Sequence, residues 1–175
     1  TAIEDSAANF LSKHKGELDL GGLTKLSDAA AEAISKHKGN LSLGVEKLSD
    51  AAAESLSKHE GTLCLGITEL GNAAAKSLSK HQGNLNLYGL AIISDQAADS
   101  LSKHQGSLIL FNLTKISDQA AESLSKHQGD LDLNGLTELS DATAESLSKH
   151  QGDLELGGEN KLTELSDAAA ESLSK

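Results

Sequence analysis

Three residue types in this chain could do chemistry. One is a histidine that recurs along the whole sequence. The second is a serine two places before each histidine. The third is a group of carboxylates set between leucines late in the chain. The histidines are His14, His37, His59, His81, His104, His127 and His150, and each ends the string Ser-Lys-His. Serine beside histidine suggests a nucleophile and its base. On a helix, however, residues two apart point about 200° away from each other, so the pair does not face itself. A histidine row is the material of a metal site or a pH-responsive device. With one histidine per copy and no other soft ligand beside it, the spacing favours a structural role. In that role the histidine closes the helix C-terminus, with a ring nitrogen on backbone and the ring packed on its neighbour. If these rings are buried and neutral, acid should weaken the array. No metal or cofactor is expected.

The positions of these residues depend on the elements that carry them. Successive histidines are 23, 22, 22, 23, 23 and 23 residues apart, and an eighth copy starts at Ser174-Lys175. Self-similarity at that period marks a solenoid. Two shorter periods lie inside each copy. Asp130-Leu131-Asp132-Leu133 alternates polar and apolar, as a strand with one buried face does. From Ser140 to Gln151 the spacing turns helical, with Thr143, Ala144 and Leu147 on one face. Ala30, Ala31 and Ile34, and Ala97, Ala98 and Leu101, repeat that face. Ser140 is a suitable N-cap and Asp141 suits the positive helix end. Glu145 precedes Lys149 by four residues, the favourable order for a surface pair. Glu32–Lys36, Glu54–Lys58, Glu122–Lys126 and Glu171–Lys175 repeat it, and Lys76–Lys80 breaks it. Gly129 and Gly152 stand where a left-handed residue after a helix is expected. The last copy carries three extra residues within Gly157 to Lys161.

The expected architecture is α/β, a single solenoid over residues 1–175. A helix-like segment, residues 1–15, precedes seven strand–helix units, with a parallel sheet on the concave face and helices on the convex face. Such a unit cannot bury its own apolar stripe, but stacked neighbours can. No terminal unit reads as a polar cap. A chain cut from a longer array, or one whose ends associate, is therefore expected.

Composition narrows the function classes. The chain has 175 residues, no Pro, Met or Trp, and three aromatics, Phe10, Tyr88 and Phe111. Its core must be built from Leu, Ile and Ala, which suits small stacked units. The formal net charge is −11. That charge repels phosphate backbones and anionic lipid, so neither nucleic acid nor membrane is an expected partner. Cys64 is the single cysteine, so an internal disulfide is excluded. It reads as a small surface residue, and the compartment stays open.

Leu131-Asp-Leu133-Asn-Gly-Leu136-Thr-Glu-Leu139-Ser140-Asp141 resembles the leucine-rich repeat core L-x-L-x-x-x-L running into a short helix. It is similar to the cysteine-containing subclass, and more so to short alanine-rich repeats of bacterial proteins. The resemblance covers nearly the whole chain and departs from the common pattern in having no fixed Asn after the strand. It implies a curved solenoid that binds ligands on its concave sheet, with no particular ligand and no chemistry.

The residues between the strand leucines should face outward on that sheet. In chain order they are Glu17/Asp19, Asn40/Ser42, Thr62/Cys64, Asn84/Asn86, Ser107/Ile109, Asp130/Asp132 and Asp153/Glu155. The next outward position is Gly21, Gly44, Gly66, Tyr88, Phe111, Asn134 and Gly157. These positions differ from unit to unit, while the helix string barely changes. Tyr88, Ile109 and Phe111, with Asn86 beside them, form an aromatic and apolar patch suited to a protein or sugar ring. Asp130, Asp132, Asp153 and Glu155 form a carboxylate cluster suited to a cation or a Lys-rich partner, or else a solvated acidic face. The expected function is non-enzymatic recognition of a protein or glycan on the sheet. A structural spacer, an end-to-end self-associating array and a consensus-like designed repeat are the alternatives.

Overall fold

Each unit changes structure where its period changes. The computed structural model describes residues 1–158 and 162–174. Residues 159–161 of the insertion and Lys175 of the Glu171–Lys175 pair lie outside the described residues. The helices are α1 (Asp5–Leu11), α2 (Asp28–Ile34), α3 (Asp50–Leu56), α4 (Asn72–Leu78), α5 (Asp95–Leu101), α6 (Asp118–Leu124), α7 (Asp141–Leu147) and α8 (Asp167–Leu173). Between them run β1 (Leu18–Leu20), β2 (Leu41–Leu43), β3 (Leu63–Leu65), β4 (Leu85–Asn86), β5 (Leu108–Ile109), β6 (Leu131–Leu133) and β7 (Leu154–Leu156). The strands pair in chain order as one parallel sheet. The fold is an α/β solenoid with strands on one side and helices on the other.

The register is the same from unit to unit. Leu41 pairs with Leu63, Leu63 with Leu85, Leu85 with Leu108 and Leu108 with Leu131. The leucines of β2 to β6 point inward and are buried, as are Ala120, Ala121 and Leu124 of α6 and their equivalents. Each unit thus adds a layer of aliphatic side chains to one continuous core. Burying one leucine contributes about 1.5–3 kcal/mol relative to leaving it exposed. The end units lack a neighbour on one side. Accordingly, Ala8 is the buried residue of α1 and Ala169 that of α8, and Leu154 and Leu156 are half-buried.

Serine caps join one helix to the next. The hydroxyl oxygens of Ser27, Ser49, Ser94, Ser117, Ser140 and Ser166 each accept from the backbone N–H three residues on, at 3.0–3.1 Å. The same hydroxyls donate to the residue opening the preceding helix. Ser27 reaches Asp5 at 2.6 Å, Ser94 reaches Asn72 at 2.9 Å and Ser140 reaches Asp118 at 2.5 Å. Ser49, Ser117 and Ser166 do the same to Asp28, Asp95 and Asp141. The chain of caps is interrupted at the start of α4, where Gly71 takes the serine's place and has no side-chain cap, and it resumes at Ser94.

Two expectations need correction. Helical spacing continues to Gln151, but α7 ends at Leu147. Beyond it the bonds tighten to a three-residue step, Lys149 N–H to the Ser146 carbonyl and His150 N–H to the Leu147 carbonyl. Ser148 Oγ donates to the Glu145 carbonyl at 2.9 Å and closes the turn. The opening segment is likewise shorter, with α1 covering Asp5–Leu11. Second, Gly129 and Gly152 are not left-handed; the glycines with positive φ are Gly16, Gly39, Gly61 and Gly157. Gly129 is required for close stacking instead. A Cβ there would lie 2.5 Å from the Gly106 carbonyl oxygen of the preceding unit, well inside contact distance.

Candidate recognition face

Parallel register lines up one outward residue per strand: Asp19, Ser42, Cys64, Asn86, Ile109, Asp132 and Glu155 are successive neighbours across the sheet. The leucines either side of each are turned into the core, so alternation forces these side chains outward. Asp19 and Glu155, near the two ends, are exposed, and the five between them are half-buried.

The late part of this face is concave. Ser107, Ile109, Asp130, Asp132, Asp153 and Glu155 line a shallow depression of about 180 Å³. All four expected carboxylates are therefore brought together, and Ile109 lies among them. Three of the four carboxylates accept hydrogen bonds. Ser107 Oγ donates to Asp130 Oδ2 at 3.2 Å, the Asn134 backbone N–H to Asp132 Oδ1 at 2.9 Å, and the Asn134 amide to Glu155 Oε2 at 2.6 Å. Asn134 holds two strands' carboxylates in place, a role its sequence position after β6 does not announce.

The expected aromatic patch is divided. Tyr88 follows β4, and its ring lies over Gly66, the unit before. A Cβ on Gly66 would meet the phenol oxygen at 2.8 Å. The hydroxyl donates to the Leu43 carbonyl of β2 at 3.3 Å. Tyr88 therefore leans toward the start of the chain, away from Ile109. Burial is the main cause that pushes its phenol pKa upward, followed by the Asp19 charge and then Cys64, with a Ser42 hydrogen bond opposing. Phe111 is half-buried after β5, and the neighbouring Asn112 amide donates to the Tyr88 carbonyl. Asn86 is half-buried beside Cys64 and Ile109, with its Oδ1 enclosed and without a hydrogen-bond partner. Burial also pushes the Cys64 thiol up, helped by Glu17 and Asp19. A raised thiol is a weak nucleophile at neutral pH.

In comparison with known proteins, no family model matches the chain and no curated protein matches it. Its own geometry carries the reading.

The repeated serine and histidine serve separate partners. Ser35 Oγ donates to the Glu32 carbonyl at 2.9 Å, while the His37 ring bonds the Gly16 carbonyl of the previous unit at 2.9 Å. Among the described residues, no three His, Cys, Asp or Glu side chains are grouped to hold a metal ion. The helix side has larger open grooves, about 930 Å³ between α6 and α7 and about 620 Å³ between α2 and α3. The same Glu, Ser and Lys string lines both, and Lys126–Glu122, Lys149–Glu145, Lys36–Glu32 and Lys58–Glu54 pair along the helices. A groove of about 610 Å³ between α4 and α5 departs from that string with Lys76, Lys80 and Gln96. The other grooves repeat one another and offer no feature by which one ligand position differs from the next, so size alone does not make this the better side. Asp99–Lys103 joins this set at 2.9 Å.

Proposed function

We propose that the chain is a non-enzymatic recognition module that binds a protein or glycan on its sheet face, in the manner of the leucine-rich repeats it resembles. The observation that carries this reading is the depression around Ile109. It gathers an apolar side chain and four carboxylates from strands whose helices are nearly interchangeable. An apolar centre with a polar rim is the usual composition of a recognition surface. Ile109 would anchor there and Asp130, Asp132, Asp153 and Glu155 would steer a partner, with Asn86, Tyr88 and Phe111 extending the contact.

The experiment is a binding screen of the protein against arrays of glycans and of short peptides, repeated with two variants. One carries Ile109→Ala and Asp132→Asn on the sheet. The other carries Lys126→Ala and Glu145→Ala on the helices. Any ligand found should lose at least tenfold in affinity with the first variant and little with the second. The reverse pattern would move the site to the helix side.

A second reading is a structural spacer that self-associates through its ends. Phe10 at 75 % and Leu165 at 43 % exposure, both in end units, favour it. Analytical ultracentrifugation across a concentration range separates the two. Concentration-dependent growth supports the spacer, and a constant monomer counts against it.

A further inference from the structure

The sheet face leaves the most regular feature of the molecule unused. The seven histidine rings form one continuous row through the array, with centroids 6.0–6.2 Å apart from His14 to His150. Beyond the first pair their planes agree within 7°. His37, His59, His81, His104 and His127 are no more than 2 % exposed, while the end rings are less enclosed. Nε2 of His37, His59 and His81 lies 2.8–2.9 Å from the carbonyl oxygens of Gly16, Gly39 and Gly61. A carbonyl only accepts, so Nε2 carries the proton and donates it. Nδ1 is then the bare nitrogen. In His37, His59 and His81 that nitrogen is enclosed and has no hydrogen-bond partner, and in His104, His127 and His150 both ring nitrogens are enclosed without one.

Charging such a ring puts an N–H on an enclosed nitrogen that has no hydrogen-bond partner, and it places a cation beside the next ring. Few charges face the row to relieve this. Glu60 favours a charged His59, while His37 opposes it. His81 faces His59, His104 faces His127 and His81, and His127 faces His150. Backbone carbonyls, such as those of Ser35 and Gly39 beside His59, favour the charged form but are outweighed by burial.

We propose that the histidine row is an acid-operated latch: neutral rings hold successive units together, and mildly acidic pH opens the array by protonating the rings once they reach water. Its direction follows from linkage. Burial is the largest cause that lowers His59, His81 and His127, and it lowers His104 to about 4. Below the ordinary value near 6.5, the opened chain takes up protons that the closed chain refuses. Stability is then complete above that value and falls as pH drops toward the folded one. Opening removes strands and helices together, so a ligand on the sheet would be released with it.

The test is direct proton counting. The full chain is unfolded with urea in weakly buffered solution, once at pH 6 and once at pH 8, and the protons taken up are measured. At pH 6 an ordinary histidine is about three-quarters protonated, so the four rings lowered on folding give an uptake of up to about three protons. At pH 8 the uptake should be close to zero. His104→Gln should lower the pH 6 value by about one proton. Because that variant could fail to fold, imidazole NMR of the unmodified protein supplies an independent reading. The ring signal of His104 should stay fixed between pH 8 and pH 6, and those of His59, His81 and His127 should titrate below the ordinary value near 6.5. Uptake below one proton at pH 6, or ring signals that titrate near 6.5 in the folded chain, overturns the latch.

Discussion

Tyr88 is positioned by a side chain its neighbour lacks. Gly66 leaves room for the ring, and the Leu43 carbonyl, two strands back, receives the hydroxyl. Tyr88 is the sole tyrosine and the chain has no Trp, so phenolate absorbance reports on it alone. Its titration midpoint should lie above the ordinary value near 10, as burial and the Asp19 charge both oppose the phenolate. Gly66→Ala should push the ring off β3 and bring the midpoint back toward 10. An unchanged midpoint would mean that the ring does not rest on Gly66. The sequence showed that Tyr88 faces outward, because alternation decides the side of the sheet. It could not show which way the ring leans, because that depends on Gly66, 22 residues earlier. The four carboxylates were legible for the opposite reason. Register alone brings them together, and register follows from the repeat.

At the scale of elements, strand and helix starts were legible because a period-2 segment and a serine–aspartate pair mark them in nearly every unit. Helix ends were not. Ser148, Lys149 and His150 keep helical spacing while their bonds shorten to the three-residue step. Spacing in sequence does not distinguish those two patterns. Gly129 and Gly152, before β6 and β7, are the other difference, since their requirement is a carbonyl in the preceding unit rather than a positive φ. Gly129→Ala should therefore lower the melting temperature clearly, by an amount typical of core overpacking at about 1–3 kcal/mol. Wild-type stability in that variant would contradict the close stacking. The break in the capping chain gives a prediction of opposite sign. Gly71 has an ordinary φ of −69° and nothing within 4 Å of the place a Cβ would take. Gly71→Ser should cap α4 and give Asp50 the partner its equivalents have, for a gain of about 0.5–1 kcal/mol in urea unfolding. Ser117→Ala should lose about 1 kcal/mol by the same measurement. The Ser140 and Thr143 hydroxyls hold the Asp118 carboxyl below its ordinary range. That contribution is present above the ordinary carboxylate value and is lost as pH falls through the lower folded one.

Over the whole molecule, the two faces obey different constraints. The helix side and the histidine row repeat because every unit must accept the same neighbour. The sheet side is free to vary because alternation turns it away from the core. Residues kept for folding should cost stability when changed. Like charges on adjacent strands should instead cost stability while they remain, as Asp132 beside Glu155 does. The division of labour between the faces is tested most directly by the thermal unfolding of one variant, Asp130→Asn, Asp132→Asn, Asp153→Asn and Glu155→Gln together. These amides keep an acceptor oxygen for Ser107 and Asn134 and remove the repulsion. The melting temperature should stay unchanged or rise by up to about 4 °C. A fall of more than about 5 °C would show that the fold itself needs these carboxylates, and would contradict the assignment of the sheet face to recognition.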